Sequence, residues 1–163
     1  MEKDIKIYID STRYEVEASL FSGESDEDEL LQIIENAAAP EPEKMEIKTL
    51  GRLVSDSFKT EISYDETEIT GMQGSSTVIF FDKKDIGTVT MMRTGQVSTA
   101  LVFEKGQRHH CVYSTPYMPF EVCVHTLDIK NHLDGEGSLD IDYIVEIRGA
   151  RAERTKFSMR ISE

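Results

Sequence analysis

The chain has no stretch of about 18 apolar residues, and a bilayer-spanning helix needs one. Its first residues, Met1-Glu2-Lys3-Asp4, are charged and lack the apolar core of a secretory leader. These absences predict a cytoplasmic protein with no membrane association. Cysteine is scarce, with only Cys111 and Cys123 in 163 residues. Two cysteines do not form a disulfide framework in a domain of this size, and both are expected as thiols in a reducing compartment. Bases are outnumbered by acids, 18 to 31, so the broad positive footprint of a nucleic-acid binder is missing. No Gly-x-Ser-x-Gly elbow, phosphate-cradling loop, Cys-x-x-Cys or His-Glu-x-x-His motif occurs. No internal repeat is evident, and no cofactor is expected.

The net charge of −13 is unevenly placed. Residues 1–70 hold 19 acids and 7 bases, and residues 71–163 hold 12 acids and 11 bases. Much of the N-terminal acidity lies in residues 24–44. There Ser25 and Asp28 resemble a helix-capping box. Asp26 to Glu29 would favour a helix N-terminus, and Leu30, Leu31, Ile33 and Ile34 form a short apolar stripe. The Ala37–Pro42 stretch then ends it. A short helix on an acidic insertion, or full disorder, is expected, because an isolated helix of this length is marginal.

The rest of the chain is dominated by short runs in which apolar and polar residues alternate. Ile5, Ile7 and Ile9 start the pattern. A turn is expected at residues 10–13, followed by Tyr14, Val16, Ala18 and Leu20 as a second strand or a bent continuation. Residues 45–54 read as a strand interrupted by a bulge or bend at Gly51. Further runs follow at 58–70, 75–82, 87–93, 97–104, 108–115, 119–128, 139–147 and 156–161. They are cut by turn signals at Asp82-Lys83-Lys84-Asp85, Thr94-Gly95, Glu104-Lys105-Gly106-Gln107 and residues 131–137. Alternation gives each strand one wet and one dry face, and a long antiparallel meander removes its exposed edges by closing. The reading is all-β: one domain over residues 1–163, a closed antiparallel up-and-down β-barrel of about 8–10 strands.

Several clusters could carry chemistry. His109, Cys111, Cys123 and His125 lie symmetrically about Tyr117. If that hairpin pairs Cys111 with Cys123 and His109 with His125, the four could approach a zinc ion. A slip of one residue destroys the alignment, and Phe120, Val122 and Val124 would turn these four residues outward, so no metal site is assigned. Asp140 and Asp142 have the strand spacing of paired carboxylates but alternate with Ile141 and Tyr143, which places them on the wet face. Arg148, Arg151, Arg154, Lys156 and Arg160 are the main basic cluster and read as a charged turn and wet face. Tyr64, Glu66, Arg93 and Tyr113 differ. Glu66 shares parity with Ile62 and Tyr64, and Arg93 with Val89 and Met91, so both charges are expected inside the barrel, where they must be paired. They would either line a ligand pocket or form a structural plug.

The runs Ile62-Ser63-Tyr64-Asp65-Glu66, Met92-Arg93-Thr94-Gly95, Phe103-Glu104-Lys105-Gly106, Tyr113-Ser114-Thr115-Pro116-Tyr117 and Leu139-Asp140-Ile141-Asp142-Tyr143 together resemble the YwiB-like family over about residues 45–162. The chain departs from the family at Met118, where members often have Gly. The resemblance implies a calycin (lipocalin-like) barrel and brings no activity or catalytic residues with it. Three functions therefore stand open: a binder of a small, partly apolar or anionic ligand; a structural or interaction module with a filled barrel; and an enzyme using Glu66 or a histidine as base. The partner expected first is a small molecule, with the chain a monomer or homodimer.

Overall fold

The computed structural model describes residues 1–16, 42–66, 74–95, 98–114, 119–147 and 151–163. Among them are ten strands: β1 (Glu2–Val16), β2 (Glu43–Ser55), β3 (Lys59–Asp65), β4 (Ser76–Asp82), β5 (Asp85–Thr94), β6 (Ser98–Glu104), β7 (Arg108–Ser114), β8 (Pro119–His132), β9 (Ser138–Ile147) and β10 (Arg151–Ser162). Each strand pairs antiparallel with the next, and β1 pairs with both β2 and β10, which closes the barrel. No helix among the described residues is long and apolar enough to cross a membrane.

Alternation builds the interior. Ile5, Ile7 and Ile9 of β1 are buried, as are Leu139 and Ile141 of β9 and Phe157 and Met159 of β10. Phe103 and Val89 are fully enclosed, and the Phe103 ring lies 4.6 Å from that of Tyr143. These side chains form one buried apolar cluster, and burying apolar surface is the main favourable contribution to folding.

At one end the turns are short and held by their own side chains. Asp56 Oδ1 accepts hydrogen bonds from the backbone N–H groups of Phe58 (2.7 Å) and Lys59 (2.8 Å). Asp82 Oδ1 accepts one from Lys84 N–H (2.8 Å). These are the local bonds through which Asp favours turns. The Asp82-Lys83-Lys84-Asp85 and Glu104-to-Gln107 turns lie where alternation predicts them.

Three expectations need correction. The turn at residues 10–13 is not formed, because β1 runs unbroken and residues 10–13 pair with both β2 and β10. With partners on both sides, the ladder satisfies the backbone groups that a polar tetrapeptide would otherwise use in a turn. Gly51 makes no bulge, since its pairings with Ile5 and Tyr64 show no shift of register. It serves a close approach instead. A Cβ there would collide with Ile7 Cδ1 and lie 2.5 Å from the Ser63 carbonyl oxygen. The acidic segment expected over 24–44 lies mostly outside the described residues, but its last two residues, Glu43 and Lys44, belong to β2.

Candidate ligand site at one end of the barrel

Register brings the candidate side chains together. Gly51 of β2 pairs with Tyr64 of β3, and Tyr64 with Thr77 of β4. Thr77 pairs with Arg93 of β5, Arg93 with Thr99 of β6, and Thr99 with Tyr113 of β7. One cross-strand row therefore crosses six strands near the end opposite the Asp56 and Asp82 turns. Tyr64, Thr77 and Thr99 follow the dry-face parity of their strands, with Ile62, Ile79 and Leu101 respectively, all buried.

The structure places Tyr64 of this row, and Glu66 just beyond the end of β3, inside the barrel, both buried. The Glu66 side chain is 2% exposed and that of Arg93 15%. Arg93 Nη2 lies 3.3 Å from Glu66 Oε1, and Arg93 Nε donates to Thr77 Oγ1 at 3.3 Å. Thr77 Oγ1 donates in turn to Glu66 Oε1 at 2.5 Å. The Glu66 backbone N–H is satisfied by the Ser75 carbonyl at 2.8 Å. The charges are thus neutralised inside the barrel, as burial requires. Tyr113 has its backbone in the row, and its side chain lies outside the described residues.

The row faces a second polar set. Arg13 of β1 pairs with Thr155 of β10, and Thr155 with Tyr143 of β9. Arg13 Nε is 3.8 Å from Glu153 Oε2. Burial pushes the Tyr64 phenol well above its ordinary pKa, the Glu66 charge adds to the shift, and Arg93 opposes it. Burial also raises the Tyr143 phenol, against a hydrogen bond from Thr155 and the charges of Arg13 and Arg93. Both phenols therefore stay protonated at neutral pH and can donate hydrogen bonds. Thr99 completes the row. It is 7% exposed, and its buried Oγ1 has no hydrogen-bond partner among the described residues.

Alternation alone identifies Tyr64, Glu66 and Arg93 as interior. It also gives Thr99 and Tyr143 the apolar parity of their strands without singling them out as site residues, and it passes over Thr77 and Thr155. The available signal was a hydroxyl residue at an apolar-parity position, such as Thr77 two residues before Ile79.

The histidine–cysteine set does not assemble. β7 and β8 pair one residue away from the symmetric register, so Cys111 faces Val122, His109 faces Val124, His110 faces Cys123 and Arg108 faces His125. The outward placement is also corrected for Cys111, which is buried among the core residues. Burial raises the Cys111 and Cys123 thiols, and both cysteines are free. His125 is buried beside an irregularity between Thr126 and Asp128. Burial, with Arg108 assisting, holds its imidazole below the ordinary pKa. No group of three or more His, Cys, Asp or Glu side chains among the described residues could hold a metal ion. Asp142 and Asp140 lie outside the barrel. Arg154 binds Asp142 through two bonds of 2.9 and 2.7 Å, and Asp140 accepts from Ser158 at 2.6 Å. Arg160 Nη1 is 3.4 Å from Asp140 Oδ1, so the basic cluster is partly tied to these carboxylates.

The model of a family described as a domain of unknown function (DUF1934) matches residues 31–159. The chain belongs to this family. Its barrel is similar to the crystal structure of ywiB protein from Bacillus subtilis, with a TM-score of 0.65 and 18% sequence identity over 99% of this chain and 94% of that one. That likeness shows a shared fold, and the chain is YwiB-like in this sense. No curated protein matches it.

Proposed function

We propose that this DUF1934 chain is a cytoplasmic, calycin-like barrel that binds a small, partly apolar or anionic molecule inside, at the end carrying Tyr64, Glu66, Arg93 and Tyr113. One observation carries this reading: a row of hydroxyl and guanidinium groups runs along dry faces and includes a buried Thr99 hydroxyl without a partner among the described residues. Buried polar groups are nearly always bonded. A filled core places apolar side chains at such positions, whereas ligand sites combine apolar walls with a few convergent polar groups. Glu66 is already engaged by Arg93 and Thr77, so it is given a pairing role and no catalytic step.

The test is native mass spectrometry of the protein purified from its own cells. A small-molecule adduct that dissociates on activation, and is absent from an Arg93→Met variant that still folds, is expected. A bare mass under gentle conditions overturns the reading. The second reading, a filled barrel acting as an interaction module, draws on the self-contained Glu66–Arg93–Thr77 network. It predicts that same bare mass together with capture of a partner that is lost on deleting residues 24–41, which lie before β2.

A further inference from the structure

We infer that the polar end of the ligand is a carboxylate, received by Arg93 and Thr99 in competition with the resident carboxylate of Glu66. This inference rests on the interior-binding reading above and assigns the ligand's chemical class and two contact residues.

Arg93 is under-used. A guanidinium has five N–H donors and binds carboxylates best through two parallel bonds. Here Nη2 meets a single oxygen of Glu66, at 3.3 Å, and Nε meets Thr77 at the same distance. Both distances lie beyond the usual range for N–H···O bonds. Thr99 sits directly across from Arg93 on β6, with its hydroxyl buried and unpartnered among the described residues. A carboxylate beside these two residues would take donors that Glu66 leaves free and would satisfy the Thr99 hydroxyl. Two residues deeper along the same faces stand Met91 and Leu101, both buried, which would provide apolar contact for a short tail. The Arg93 side chain is still 15% exposed, so the site reaches solvent.

The resident carboxylate sets the sign of one effect. Glu66 already neutralises Arg93, so a second carboxylate arrives against a like charge. Replacing Glu66 with the neutral isostere Gln removes that opposition.

The experiment titrates the full chain with butyrate and, separately, with butan-1-ol, and follows the methyl NMR signals of Met91 and Leu101. Butyrate is expected to shift both signals at lower concentration than the alcohol. Thr99→Val should weaken butyrate about tenfold, equivalent to about 1.4 kcal/mol, and Thr99→Ser should restore it. Glu66→Gln should tighten butyrate and leave the alcohol unchanged. Core methyl signals confirm that each variant is folded. If butyrate and butan-1-ol act equally and Thr99→Val alters neither, the carboxylate assignment falls while interior binding stands. If neither compound moves these methyl groups, both fall.

Discussion

The two ends of the barrel are built by different means. At the end of the Asp56 and Asp82 turns, residues adjacent in sequence hold one another, side chain to backbone. A cavity of about 460 Å³ opens there, and its charged lining includes Lys3 with its partner Glu163. Bonds between residues distant in sequence occur at both ends: at the turn end the buried Thr60 hydroxyl donates to Asp134 Oδ1 at 2.7 Å, and at the other end the interior holds a charge pair, Glu66 with Arg93. Local turn chemistry can only close a barrel. A polar interior row needs several strands in fixed register, and such a row is costly to leave incomplete. The buried charge pair is why the ligand site is proposed at the second end.

The contrast between the ends can be broken from the middle outward. Phe103→Ala empties the dry centre that both ends share and should cost about 3–5 kcal/mol, measured by urea unfolding. A loss below about 1 kcal/mol would mean that the centre is not packed as described. Next, Arg93→Met strands Glu66 in the interior and should cost about 3 kcal/mol, much of it recovered in a Glu66→Gln/Arg93→Met double variant. Additive losses would show that the two side chains are not coupled. Gly51→Ala forces a methyl group against Ile7 and the Ser63 carbonyl and should cost roughly 1–3 kcal/mol. Wild-type stability would refute the close approach. At the turn end, Asp56→Ala removes two backbone partners and should cost about 1 kcal/mol, with accelerated amide exchange confined to Phe58 and Lys59.

The smallest expected effect is a pH dependence. His125 has its pKa lowered in the folded state by burial and by Arg108, so the unfolded chain binds the proton more readily. Its contribution to stability is present above the unfolded value of about 6.5 and is lost as pH falls through the folded value. His125→Gln should flatten the stability profile between about pH 6.5 and the lower folded pKa. An unchanged profile would place the acid sensitivity elsewhere.

Much of the fold is legible in the order of the residues. Ile5-Ile7-Ile9 and Leu139-Ile141-Tyr143 declare their buried faces through a period of two, a property of the single strand. The same parity places Glu66 and Arg93 inside. It fails at residues 10–13, where a turn-like tetrapeptide is held straight by pairing on both sides. The β7–β8 register is not legible either. Neither parity of β7 is plainly apolar, with Val112 on one and Cys111 and Tyr113 on the other, so alternation does not choose between symmetric pairing and a one-residue offset.

The sequence alone determined which residues turn inward on the strands with clean alternation, because side-chain direction follows strand geometry residue by residue; on β7 it turned Cys111 outward, and the structure buries it. It also determined that the acidity belongs mostly to the first 70 residues. Only the tertiary structure decided which inward residues meet. Register between strands is a long-range property, and it made neighbours of Tyr64, Thr77, Arg93 and Thr99 while separating Cys111 from Cys123.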